Sequence, residues 1–488
     1  MKWVSTGAQC RELDRRLIAA GVPGVALMET AAHGLAAAIA EKYAMEARRG
    51  VVIVCGGGNN GGDGYGCARW LAAWGFEVRL WHMASASRGD AAVFRAVCDR
   101  LRIPSVQSLE NAGVVVDAIF GTGLDRPLNE EVSRVTAQIA AFPGPVVSAD
   151  LPTGIHSDTG MALGIPVRAT MTVTFGRLKA GLLTGDGLEN AGEVRGVDLG
   201  QDGVATAEDH IASVSEAESL AKEWPQRGKT DHKNRSGHLL LVAGSERMAG
   251  AAVLAARGAL AAGVGLLTLA TPRDALVRLA GLPAEAMWIP LEEGLSDAAL
   301  VGRTAWAAGP GLGALGEPIL RRLQELWAAG PLPAVWDADL LAALVPSQSD
   351  QRVITPHPGE AARILAVQTA EIQGDRFGAA RRLTQGRTAL LKGRNTLVAS
   401  PDGQISVNPT NSPVLGTGGS GDVLLGVIGG LLARGVDAAT AARLGAWVHG
   451  RAGELLENQR SNGWTASDIA ERVPVAIDEL LSIGPRFP

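Results

Sequence analysis

Apolar positions recur along the chain in two periods. Thr6–Ala20 and Ala26–Tyr43 carry them at helical spacing, which predicts two amphipathic helices separated by Gly21-Val22-Pro23-Gly24. Val51-Val52-Ile53-Val54-Cys55 is a short β-branched run, the pattern of a parallel strand buried on both faces. A helix over Tyr65–Trp74 and a strand over Glu77–Trp81 follow. Further apolar runs, Val114–Phe120 and Pro145–Asp150, predict two more strands. Past residue 236 the alternation resumes. Leu239–Ala243 predicts a strand, Gly250–Ala262 an Ala-rich helix, and Gly265–Ala270 a second strand. Ala305–Ala308, Ala334–Trp336, Val353–Ile354 and Thr388–Leu391 continue the strand series. Strands and helices in such alternation predict an α/β chain built on doubly wound parallel sheets. Residues 200–235 are polar and broken, with one short helix at Glu216–Glu223, so a domain boundary is expected near residue 210.

Several predicted strands end in glycine turns. Cys55 runs into Gly56-Gly57-Gly58-Asn59-Asn60-Gly61-Gly62-Asp63-Gly64, making a strand–turn–helix–strand unit of the dinucleotide-binding kind. Its spacing is not GxGxxG. Asn59, Asn60 and Asp63 add amides and a carboxylate suited to ribose hydroxyls, phosphate oxygens or a hard cation. At the carboxyl ends of parallel strands, Asn60, Asp117, Asp150 and Thr153 are expected to converge on one crevice. Oxygen donors without His or Cys suit an alkali or alkaline-earth ion rather than zinc. Asp117 alone reads equally well as a cap or a ligand. Near the C-terminal end, Gly416-Thr417-Gly418-Gly419-Ser420-Gly421-Asp422 precedes an apolar helical run. Glycines at a helix N-terminus make an anion site, and Asp422 at its edge is placed to take a proton from an attacking hydroxyl. Lys392-Gly393-Arg394-Asn395-Thr396 is a candidate phosphate grip. His357, between two prolines, is a candidate substrate contact. His33, His82, His232, His238 and His449 receive no role.

Composition narrows the classes. At 488 residues the chain is long enough for two or three domains, and 47% hydrophobic against 19% charged residues supports sizeable cores. The net charge of −5, with no basic run, argues against nucleic acid or anionic membrane as partners. Ala249–Pro272 carries an arginine and four glycines and reads as core rather than a membrane span. Four cysteines without CxxC spacing predict a reducing, cytoplasmic setting, and Met1–Ser5 leads into polar Gln9–Arg16 with no signal-peptide pattern. Eleven tryptophans against two tyrosines have no functional explanation in the sequence.

The strings GGGNNGGDGYGCAR, VDAIFGTG and DLPTG resemble the NAD(P)H-hydrate epimerase domain over most of residues 1–210. The resemblance implies a Rossmann-like fold in which Asn59, Asn60, Gly61, Gly62 and Asp63, with Gly121, Thr122, Gly123, Leu124, Asp125, Arg126 and Pro127, contact the damaged nucleotide. It implies potassium held by Asn60, Asp117 and Thr153, and Asp150 as the substrate-facing acid/base. Thr30 departs from the asparagine usual in that family after Glu29. The order HKNRSGHLLLVAGS, GPGLG, DAD, TPHPGE, KGRNT and GTGGSGD resembles the ADP-dependent NAD(P)H-hydrate dehydratase domain, a ribokinase-like fold, over residues 211–488. That resemblance implies substrate contacts from Gly311, Gly313, His357 and Asp422, and an ADP site made by Lys392, Gly393, Arg394, Asn395, Thr396 and Gly421. Asp422 is then the base. Asn408–Pro413 departs from the family's Thr-Gly-Asn-Pro. The whole chain resembles a bifunctional NAD(P)H-hydrate repair enzyme acting on NADHX and NADPHX, with ADP as co-substrate, Mg2+ and K+ as ions, and homo-oligomeric assembly. The rival enzyme reading is a small-alcohol or vitamin kinase with an N-terminal nucleotide-binding regulatory domain. From another class, the rival is a nucleotide-binding scaffold.

Overall fold

The computed structural model describes residues 3–226, 228, 233, 235–276, 279 and 282–483. Half of the basic turn Lys229–His238, residues 229–232 and 234, lies outside the described residues. The chain forms two compact units, Lys2–Ala212 and Ser213–Pro488.

In the first unit the amphipathic pattern becomes helices Gly7–Ala19 and Gly24–Lys42, the former opened by a capping box between Thr6 and Gln9. Six parallel strands form its main sheet, in the order Val78–His82, Val51–Cys55, Val114–Ala118, Val146–Ala149, Met171–Phe175 and Glu193–Val197. The chain leaves Val51–Cys55 toward one edge and returns to Val114–Ala118 on the other side. Between these two strands lies the switch point where open α/β sheets bind ligands.

One boundary differs from expectation. The helix predicted from Tyr65 begins at Asn59, inside the glycine string. Helix propensity disfavours this start, but packing imposes it. A Cβ at Gly61 would overlap the carbonyl oxygen of Gly56, and one at Gly64 would lie 2.6 Å from the Ala118 methyl and 2.9 Å from Cys55 Sγ. These glycines let the helix press onto the strand ends.

The second unit carries seven parallel strands in the order Ala286–Pro290, Leu266–Thr271, His238–Val242, Ala305–Ala308, Ala334–Trp336, Arg352–Ile354 and Thr388–Leu391. An antiparallel pair, Leu397–Ala399 and Ile405–Val407, extends it. The switch point falls between His238–Val242 and Ala305–Ala308, where Gly244 N donates to the Pro310 carbonyl at 2.8 Å. Trp306, Trp327 and Trp336 cluster in this core around Arg352, which donates to the carbonyls of Trp327, Leu332 and Gly330 at 2.6–2.8 Å. Part of the tryptophan excess is thereby structural.

Helix Ser420–Ala433 runs through the middle, and every residue from Val423 to Ala433 is buried. It crosses helix Ala249–Ala261 through reciprocal glycines: a Cβ at Gly426 would overlap the Ala255 carbonyl, and one at Gly258 the Val423 carbonyl. Neither obstacle is a side chain that can swing away. Gly426→Ala is expected to destabilise the second unit by about 3 kcal/mol, read as a lower denaturant midpoint. An unchanged midpoint would refute this account of the crossing.

Two candidate active sites

At the first switch point a cavity of about 430 Å3 is lined by Asn59, Asn60, Asp63, Gly121, Thr122, Gly123 and Asp150, with Lys179 and Asp14 also facing it. The glycine turn, the Gly121 turn and the strand-end aspartate therefore do meet. Gly61 and Gly62 instead turn into helix packing, Gly62 against Met28 Sδ. Leu124 is buried, and Asp125, Arg126 and Pro127 are exposed outside the cavity lining. Thr30 bonds back to the Ala26 carbonyl at 3.0 Å, while Glu29 pairs with Arg69 and accepts from Trp70 Nε1.

Asp150 has left-handed backbone, φ +67°, a conformation that costs a non-glycine residue about 1–2 kcal/mol and clusters at functional sites. Its N–H donates to the Val173 carbonyl at 2.7 Å, and its Oδ2 accepts from Thr122 N at 3.2 Å. Lys179 Nζ lies 2.5 Å from Asp150 Oδ1. The sequence reading passed over Lys179, since a lysine before a short turn carries no periodic signal. Burial is the strongest influence and pulls its ammonium down, but the Asp150 charge and hydrogen bond, with Cys10 and Asp14, together outweigh it and leave it raised and charged. Burial, and then the Asp150 charge, push the Asp63 carboxyl well above the usual range.

Asp117 is fully buried and acts at least as a structural clasp. It accepts from Thr153 Oγ1 at 2.7 Å, Thr153 N at 2.8 Å and Ser148 Oγ at 2.9 Å. The Asn60 amide is buried with neither its oxygen nor its nitrogen partnered. A buried orphan carbonyl oxygen is costly unless something binds it, and it is the feature here that fits a cation. Among the described residues, no three His, Cys, Asp or Glu side chains are grouped to hold a metal.

In the second unit Gly419, at φ +90°, turns the chain into helix Ser420–Ala433 and leaves Asp422 in its first turn. Burial, and then the Asp337 charge, push the Asp422 carboxyl up to about 7, against the pull of Lys392. Asp337 is buried and accepts from Lys392 Nζ through both oxygens at 2.8 Å. A Cβ on Gly421 would stand 3.2 Å from Lys392 Nζ and 3.5 Å from Asp337 Oδ2. Asp422, Gly421 and Lys392 thus converge, and Asp337 joins them. Its strand-end DAD run was the signal that could have found it.

The Lys392–Thr396 turn is braced by Arg376, another residue the sequence reading missed. Its buried guanidinium donates to the carbonyls of Arg394 at 2.8 Å and Lys392 at 3.4 Å. Thr396 Oγ1 closes the turn on the Gly393 carbonyl at 3.0 Å, and Asn395 is left-handed at φ +52°. His357 is a helix N-cap: its Nδ1 accepts from Gly359 N at 3.0 Å and Glu360 N at 3.3 Å. The ring is half exposed, with its Nε2 3.5 Å from Glu360 Oε1. Gly311 and Gly313 are both left-handed, and Gly313 N donates to Asp339 Oδ2 at 2.8 Å; Asp339 borders a cavity of about 470 Å3 that neither glycine, nor His357, Lys392 or Asp422, lines. His449, given no role from sequence, is buried and donates from Nε2 to the Ser420 carbonyl at 3.0 Å, fixing the start of the Asp422 helix. The divergent segment is also anchored. Asn408 donates to the carbonyls of Thr410 and Ala446 at 3.0 Å, and Asn411 bonds Asn395 Oδ1 at 3.3 Å.

Comparison with known proteins agrees with both units. Residues 239–475 match the family model for NAD(P)H-hydrate dehydratase, and residues 24–181 match that for the YjeF-related protein N-terminus. The bifunctional NAD(P)H-hydrate repair enzyme of Moorella thermoacetica is 35% identical over 98% of this chain and 97% of its own length. That of Escherichia coli is 34% identical over 86% and 83%. The crystal structure of the ADP/ATP-dependent NAD(P)H-hydrate dehydratase of Bacillus subtilis, co-crystallised with ATP/Mg2+, has a TM-score of 0.52 and 30% identity, and covers 55% of this chain and 99% of its own. With relatives of this identity along nearly its full length, the chain belongs to the family of bifunctional NAD(P)H-hydrate repair enzymes.

Proposed function

We propose that the first unit interconverts the R and S hydrates of NADH and NADPH, and that the second dehydrates the S form with ADP, giving NAD(P)H, AMP and phosphate. The observation that carries this reading is Asp422, poised near neutrality in the first turn of a glycine-initiated helix beside Lys392 and Gly421. Hydration leaves a hydroxyl on the carbon next to the ring nitrogen, and hydroxide is a poor leaving group. Asp422 takes the hydroxyl proton, and the oxygen attacks the β-phosphorus of ADP. The bond to AMP breaks, and the turn's N–H groups stabilise the transferring phosphoryl group. Phosphate then leaves with help from the ring nitrogen, and loss of a proton from the neighbouring carbon restores the ring. Lys392 to Thr396 and Gly421 hold the nucleotide, which enters with Mg2+. Gly311, Gly313 and His357 bind the hydrated ring's nucleotide. ADP use is supported by the ADP/ATP dependence of the Bacillus subtilis relative.

In the first unit Asp150 is the acid/base, and Asn59, Asn60, Asp63 and the Gly121–Gly123 turn bind substrate. Potassium would be held by the Asn60 oxygen with Asp117 and Thr153 behind it, supplying a fixed positive charge for substrate oxygens. The four buried free cysteines suit a reducing cytoplasm, and no helix among the described residues is long and apolar enough to cross a membrane. The test is recovery of NADH absorbance from mixed hydrate epimers with ADP or ATP. Complete recovery is expected. A stable phosphorylated product without NADH would establish the kinase reading instead.

A further inference from the structure

The ion pair in the first cavity has a task that the roles above leave unassigned. Lys179 is 2% exposed, and lysines are almost never buried to this degree unless paired. An ammonium has three protons, and protein atoms accept all three: Asp150 Oδ1 at 2.5 Å, the Phe175 carbonyl at 2.6 Å and Thr174 Oγ1 at 3.2 Å. None is left for a substrate. Both partners are fixed through the strand Met171–Phe175, since Asp150 N bonds the Val173 carbonyl and Lys179 Nζ the Phe175 carbonyl. The Lys179 backbone is registered in addition by the parallel pairing of Leu178–Lys179 with Val4–Ser5.

We propose that Lys179 is a positioning residue for epimerisation: it grips Asp150 by Oδ1 and so, with Thr122 N on the other oxygen, fixes the plane of the carboxylate that presents Oδ2 to the hydroxyl of the hydrated ring. The proposal rests on reading the first unit as the epimerase. The hydroxyl proton passes to Asp150 Oδ2 as the C–O bond becomes a carbonyl and the ring C–N bond breaks. The freed electron pair stays on nitrogen, delocalised into the carboxamide-bearing double bond. The aldehyde arm rotates, nitrogen adds to its opposite face, and Asp150 returns the proton to oxygen. No atom is gained or lost, and Lys179 stays protonated throughout.

The charged and titratable groups around the pair are Asp63, Asp14 and Cys10, with Arg11 and Asp90 lining the same cavity. Without the ammonium, Asp150 Oδ1 keeps only the long contact from Thr174 Oγ1 at 3.4 Å, so the carboxylate can rotate away from the bound hydroxyl and the chemical step slows while substrate binding is kept.

The experiment uses the full chain with mixed hydrates and ADP, reading kcat and KM for consumption of the R form. Lys179→Met and Lys179→Gln are expected to lower kcat for epimerisation about 100-fold with little change in KM. Lys179→Arg, which keeps a charged donor for Oδ1, should recover most of kcat. Dehydration of the S form by the same molecules is the internal control and should be unchanged. A kcat that does not fall, or a loss that appears in KM instead, overturns the proposal, as does a Lys179→Arg rate no better than that of Lys179→Gln. If wild type fails to consume the R form at all, the epimerase reading fails instead.

Discussion

Asp422→Asn is expected to lower S-hydrate dehydration about 10^3-fold while leaving the chain folded, because it removes the one base placed in the glycine turn and little else. Asn keeps the volume, and among the described residues no hydrogen bond to the Asp422 side chain braces the helix start, which His449 and Gly419 set. The pH dependence separates this from a simple loss of binding. With the Asp422 carboxyl near 7, wild-type dehydration should fall about tenfold per unit below that pH, since only the ionised form accepts the proton. Asp337→Asn moves the limb in a definite direction. It removes the negative charge that helps hold Asp422 up and frees Lys392, whose charge pulls Asp422 down. Both effects lower the Asp422 titration, so the acid limb should shift to lower pH. The maximal rate should drop as well, because a stronger acid is a weaker base and Lys392 loses its anchor. A profile flat between about pH 6 and 8 in wild type would remove Asp422 from the role of base.

Legibility in the sequence followed the range of the interactions. Val51–Cys55, Ala305–Ala308 and Thr388–Leu391 were readable to the residue, because burial on both faces demands an unbroken β-branched or aliphatic run. The strand Glu193–Val197 was not foreseen. It lies at the sheet edge with alternating charge, and its own residues give little hint of pairing. The helix at Asn59 was misplaced because glycine reads locally as a breaker, while its reason for being there is a backbone oxygen of Gly56 reached only in three dimensions. The site residues divide in the same way. Asp150 and Asp422 stand next to glycine turns and announce themselves. Lys179, Arg376 and His449 act through partners 18 to 29 positions away, at Asp150, Arg394 and Ser420, and nothing in their own neighbourhood marks them. His357 shows the converse: its position between prolines suggested a ligand contact, and its Nδ1 proves to cap a helix.

Asp150 is the site where function and stability are expected to separate most clearly. Asp150→Ala should abolish enzymatic inversion, so that repair of mixed hydrates stalls once the S form is used, apart from slow spontaneous epimerisation. Its effect on stability follows from two opposed terms. Relief of the left-handed backbone would be worth about 1–2 kcal/mol, and only glycine collects it, because alanine at φ +67° is strained as well. Against this, removing the carboxylate leaves Lys179 charged, buried and short of its anionic acceptor. Breaking a buried pair from one side costs about 3–5 kcal/mol. The second term wins, so Asp150→Ala should be less stable than wild type by about that amount, and Asp150→Gly should lie between them. The double variant Asp150→Ala/Lys179→Met discriminates. It removes both charges, so it should recover most of the lost stability and none of the epimerisation, measured as denaturant midpoint and R-hydrate consumption on the same preparation. If the double variant is no more stable than Asp150→Ala, the pair does not carry the buried charge balance assigned to it. If Asp150→Ala consumes the R form as fast as wild type, the acid/base lies elsewhere in the cavity, and Asp63, which lines it, is the group to replace next.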